Sequence, residues 1–228
     1  MSFPLRVFVF FITSTLPLFG CAPKILSTAE QHYGLMLSRQ LISAYGEYPN
    51  PLARQYLEYL KERLVGAIPP GRKAAYAYRF VMLDTAKPLA FSPGGGYIMI
   101  SKGLIKTLAN EGELAFVLCH ELAHQQLGHT RYLLRGGLDE GFLPYHREME
   151  LEADRYAVGL MALAGYDPRL APFALTRSYR ALDRIPTDSH YPDLDARIAA
   201  IHEMIKNSTW RPPGTMDRRA FQELRMLL

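Results

Sequence analysis

Residues 110–129 read NEGELAFVLCHELAHQQLGH, and the reading of this stretch decides the fold. Asn110 followed three positions later by Glu113 is a capping-box arrangement that opens a helix. Leu114, Val117, Leu118, Leu122 and Ala123 then recur at spacings of three and four, so the helix is amphipathic or fully buried. On it His120 and His124 lie about 40° apart around the axis, and both rings can reach one tetrahedral ion. Glu121 sits about 100° round from His120, close enough to touch a water held at such an ion without binding the ion itself. The plain alternative is two histidines and an acid on a solvated helix face. His129, five residues past His124 on the same extrapolated helix, is expected to point away, and Cys119 to face the core.

A hydrolytic zinc site needs a third protein ligand and an open fourth position. Residues 144–165, PYHREMELEADRYAVGLMALAG, supply the candidate on a second apolar helix. Glu150 and Asp154 are four apart and share a face, so Glu150 can bind metal while Asp154 accepts a hydrogen bond from a ligand imidazole, that of His120. Glu148 and Glu152 project elsewhere, toward solvent or Arg147 and Arg155.

His120-Glu-Leu-Ala-His124 followed by Glu150-Leu-Glu-Ala-Asp154 resembles the M48 family of gluzincin metallopeptidases, in particular its Oma1-like branch that includes periplasmic lipoproteins of Gram-negative bacteria. The similarity runs from about Tyr76 to Ile201, and Pro88 to Leu104 resembles the family's short strands and glycine turn. The resemblance implies one Zn2+ ion on His120, His124 and Glu150, with Glu121 as general base and Asp154 buttressing the site. The chain departs from the family at one element, a Thr-His-Pro followed by Arg-Ile. Here residues 188–198 read DSHYPDLDARI, so that Tyr191 stands where the family has His, and His190 is shifted by one. Either His190 still reaches the metal, or Tyr191 offers a phenolic donor to the developing oxyanion. Arg197 is expected to anchor this loop to an acid, with a substrate contact also open.

The first twenty residues carry one Arg, no acid and a long apolar run, the pattern of an export signal over 1–20. Leu18-Phe19-Gly20-Cys21 resembles a bacterial lipobox, which makes Cys21 the lipidated first residue and its following Ala22 consistent with the outer membrane's periplasmic leaflet. Without that segment 25 basic residues face 22 acids in scattered order, too weak a balance for nucleic acid. Residues 21–228 then fit one domain: leading helices over 24–70, a small sheet over 75–101, metal-site helices over 110–206 and a C-terminal packing segment over 207–228.

The expected fold is α+β and predominantly helical, a zincin-like domain with a small, mostly antiparallel sheet beside the metal helix. Such peptidases bind extended substrate as an added strand, and the run from Gly94, Gly95, Gly96 and Tyr97 to Met99 is the candidate edge, with a plain tight turn as the alternative. The link 135–141 is a candidate rim. Together these readings point to a zinc endopeptidase of unfolded or misfolded envelope proteins. The competing reading is a client-binding or assembly-factor lipoprotein with a latent site, and a non-peptidic zinc hydrolase is more remote. Oligomeric state is not legible.

Overall fold

Strand β3 (Tyr97–Ser101) runs between β1 (Arg79–Leu83) and β2 (Ala90–Gly94) in a three-stranded sheet of order β1-β3-β2. Its middle residues Ile98, Met99 and Ile100 are fully buried, as an uninterrupted apolar run demands when both faces of a strand are covered. In the computed structural model, which describes residues 28–71, 76–131, 145–181, 193–207 and 219–228, helices make up most of the rest.

The sheet is mixed rather than mostly antiparallel. β3 pairs antiparallel with β2, through an irregular register between Phe91 and Gly94, and parallel with β1, Arg79 facing Tyr97 and Leu83 facing Ser101. The reason is topological: β2 and β3 form a hairpin, and the hairpin's second strand inserts beside β1 in the same direction. Gly94, Gly95 and Gly96 make the turn at φ of 97°, 62° and 92°, a left-handed run that side chains would strain.

Helix α1 (Thr28–Tyr45) packs on one face of the sheet, where Leu41, Ile42 and Tyr45 meet Leu83, Phe91 and Met99. Buried Glu30 fixes its start, accepting bonds from Tyr76 Oη at 2.7 Å and Thr130 Oγ1 at 2.8 Å and pairing with Arg131 at 3.2 Å. The opposite face holds the main core, in which Phe80, Met82, Ile98 and Ile100 join helices α2 (Pro51–Gly66), α3 (Lys102–Thr107) and α4 (Glu111–Gln126). Asn50 caps α2 through its side chain, and Pro51 follows at the first helical position.

α4 is the central element. The Glu113 N–H donates to the Asn110 side chain at 3.0 Å, and Glu113 reaches back to the Ala109 N–H at 2.8 Å, a reciprocal cap close to the one expected. Against α4 pack α5 (Arg147–Leu163), α6 (Ala171–Ala181, preceded by a 3₁₀ turn at Pro168–Leu170) and, behind α5, α7 (Leu194–Lys206). A short α8 (Arg219–Leu227) tucks Phe221 and Leu224 into the core beside α2. No helix among the described residues is long and apolar enough to cross a membrane. The segment 1–20, Cys21, the 135–141 rim, His190 and Tyr191 all lie outside the described residues.

Candidate metal centre

α4 presents His120 and His124 one turn apart, and α5 crosses it so that Glu150 faces both rings. His120 Nε2 lies 3.1 Å from His124 Nε2 and 3.4 Å from Glu150 Oε2, while His124 Nε2 lies 3.6 Å from Glu150 Oε1. Ligand atoms bound at 2.0–2.1 Å around one tetrahedral ion stand about 3.3 Å apart. Two imidazoles and a carboxylate at these separations therefore fit a zinc ion, with the fourth position open for water.

The same contacts set the two rings apart electrostatically. Burial works against a charge on His120, yet its contacts with Asp154 and Glu150 outweigh burial and push it up to about 10. Burial and the nearby His120 charge hold His124 well below the usual histidine range. The cluster thus sets a ring that favours the extra proton beside one that favours the neutral form, and metal binding requires both rings neutral. Glu150 and Asp154 are held below the usual carboxylate range, because Arg197 and His120 outweigh the cost of burial.

Asp154 lies beside His120, its Oδ1 3.0 Å from the ring Nδ1, with the ring N–H directed off the line of the well-formed bond expected there. Its other partner is Arg197 on α7, which donates from Nε and Nη2 at 2.7 Å each and also approaches Glu150 Oε2 at 3.0 Å. Arg197 is 2% exposed and lies over Tyr179, so it anchors to acids as expected and is too deeply buried to meet substrate.

Glu121 is buried beside the triad. Burial first, and then the Glu150 charge, raise its carboxyl up to about 7 against the pull of His120 and Arg197, close to the operating value for a general base. Tyr145 stacks on His124, ring centroids 3.8 Å apart and planes 14° apart. Burial and the Glu121 and Glu150 charges keep its phenol protonated.

Two expectations are corrected. Tyr97 cannot belong to an edge strand, because it pairs with Arg79 on one side and Gly94 on the other; the outer strand that packs against α4 is β2. Gly96 and Tyr97 are instead held to α4, since Gln125 accepts from the Gly96 N–H at 2.8 Å and donates to the Tyr97 carbonyl at 2.6 Å. His129 does not point away: α4 ends at Gln126, Gly128 turns left-handed at φ 77°, and the His129 ring returns to within 3.1 Å of His124 Nδ1. Glu152 is exposed as expected, and from there it also reaches that His129 at 3.2 Å. Tyr145 and Gln125 carry no spacing signal, and only contact geometry reveals them.

A buried helix with two histidines and an acid, completed by a glutamate from a second helix, defines the class of gluzincin-type metallopeptidase sites. Residues 51–140 match peptidase family M48. The chain is 25% identical to the mitochondrial metalloendopeptidase OMA1 of Schizosaccharomyces pombe over 79% of its length and 60% of that protein. It is 24% identical to the beta-barrel assembly-enhancing protease of Escherichia coli over 72% of its length and 40% of that protein. Against OMA1 of Saccharomyces cerevisiae identity is 33%, over 37% of this chain and 32% of that one. The chain is thus similar to M48 metallopeptidases over 51–140, the span that carries His120, Glu121 and His124, and is related to these bacterial and mitochondrial proteins at about a quarter identity. It spans about two-fifths to three-fifths of the first two relatives' length.

Proposed function

We propose that the chain is a zinc-dependent endopeptidase in which His120, His124 and Glu150 hold the ion and Glu121 is the base. The observation that carries this is the convergence of the three ligand atoms beside a buried carboxylate on the same helix. When bound, the ion supplies a Lewis acid that activates water and steadies the charge growing on the scissile carbonyl oxygen. A Glu121 oxygen takes the proton from the attacking water and delivers it to the departing nitrogen. Asp154, held by Arg197, keeps His120 oriented. The Tyr145 phenol is a protonated donor at the site, near the Glu121 carboxylate.

An extended substrate adds to the outer edge of β2, where main-chain bonds give affinity without demanding a particular sequence. We assign the substrates to unfolded or misfolded envelope proteins, the protein to the periplasm with a lipid on Cys21 that anchors it to the outer membrane, and residues 21–228 to one domain. The relatives named for beta-barrel assembly support the substrate assignment, and the signal-like 1–20 segment supports the location.

The test pairs zinc content with digestion of an unfolded protein by the purified chain. One zinc per chain, lost in His124→Ala together with cleavage, supports the proposal. Stoichiometric zinc with no cleavage of any unfolded protein points instead to a client-binding protein with a latent site.

A further inference from the structure

His129 is 5% exposed and is held on two sides. Its Nδ1 lies 3.1 Å from His124 Nδ1, and its Nε2 lies 3.2 Å from Glu152 Oε2. The backbone builds this contact. The His129 N–H donates to the His124 carbonyl at 2.8 Å and the Gly128 N–H to the Gln125 carbonyl at 3.0 Å, the paired bonds of a left-handed helix stop that folds residue 129 back over the last turn.

Hydrogen-bond chemistry then settles which nitrogen carries each proton. The Glu152 carboxylate only accepts, so a neutral His129 places its proton on Nε2 and its lone pair on Nδ1. Two facing ring nitrogens need one donor and one acceptor, which assigns the facing proton to His124 Nδ1. That leaves the lone pair of His124 on Nε2, the atom turned toward Glu150 and His120. We infer that His129 is a positioning residue, which together with Glu152 fixes His124 in the tautomer that binds metal. The inference rests on the proposed metal site, and it gives the two histidine ligands different supports. His120 is steered by a buried carboxylate gripped by Arg197, whereas His124 is steered by a second imidazole whose own carboxylate is 57% exposed on its side chain.

The experiment measures zinc affinity by competition with a chromophoric chelator, and the visible spectrum of the cobalt(II)-loaded protein, for the full chain and its variants. His129→Leu removes the acceptor and is expected to weaken zinc binding about 10- to 100-fold and to alter the cobalt bands. His129→Asn keeps an oxygen acceptor where Nδ1 stood, and recovers most of the loss, which a role in packing alone would not give. Glu152→Ala lies at the exposed end of the chain of contacts, leaves the fold intact by circular dichroism, and weakens binding to a smaller degree. Wild-type affinity in His129→Leu, or in Glu152→Ala should His129→Leu fail to fold, overturns the inference, as does a His129→Asn no better than His129→Leu. Zinc bound by the wild type and lost in His124→Ala shows that the metal site stands even then, whereas a wild type that holds no zinc overturns both.

Discussion

Arg197 grips Asp154 with two parallel bonds of 2.7 Å, Nε to Oδ2 and Nη2 to Oδ1, while its third nitrogen stands 3.0 Å from Glu150. One guanidinium therefore spans the acid beside His120 and the acid that faces both histidines. All three groups are buried, so removing the cation strands two carboxylates away from water. Arg197→Met is expected to cost about 3–5 kcal/mol of stability, and Arg197→Lys, which cannot make the bidentate bond, nearly as much. Urea denaturation of the metal-free proteins measures it, and a loss under 1 kcal/mol would show the pairs to be weak.

The same cluster makes the metal-free protein acid-sensitive. The folded values of Glu150 and Asp154 lie below their unfolded ones, since Arg197 and His120 outweigh burial. Their stabilisation is thus complete above the ordinary carboxylate range of about 4 and is lost as pH falls through the folded values. Asp154→Asn removes its share, so that stability measured from pH 7 to pH 3 falls less steeply in the variant than in the wild type. Parallel profiles would contradict the assignment.

Glu121 has the opposite sign. Its carboxyl is raised to about 7, chiefly by burial, so the folded protein resists its ionisation. The cost is absent below about pH 4.5, grows between there and pH 7, and is complete above. Glu121→Gln is expected to make the metal-free protein more stable at pH 8 by about 1–3 kcal/mol and unchanged at pH 4. Thermal melts at the two pH values check this.

Gln125 joins the glycine hairpin to the metal helix by bonds to Gly96 and Tyr97. Gln125→Ala leaves a backbone N–H and a carbonyl without these partners, at an expected cost of about 2 kcal/mol. Hydrogen exchange at the Gly96 amide is expected to accelerate in the variant, while unchanged exchange would show the hairpin to be held by its own turn.

The pairing of His120 with His124 is legible because helical periodicity places side chains four apart on one face, and the capped run from Asn110 announces the helix; that Glu150 joins them from a second helix rests on the resemblance and not on periodicity. The same periodicity puts Asp154 on one face with Glu150. The place of His129 is not legible, since that periodicity assumes a helix that continues, and Gly128 stops it and reverses the chain. The apolar run at Tyr97 marks a strand, but its neighbours depend on the insertion of β3 beside β1, a pairing between segments 18 residues apart that no local pattern encodes. Arg197 finds its acids from a third helix, and only packing decides which.

The most direct test of the central claim compares the wild type with Glu121→Gln, measuring zinc content and cleavage of an unfolded protein on the same samples. The account predicts one zinc per chain in both, with cleavage by the wild type and a loss of at least about 100-fold in the variant. Equal cleavage by the two proteins would contradict it, because the base would then lie elsewhere.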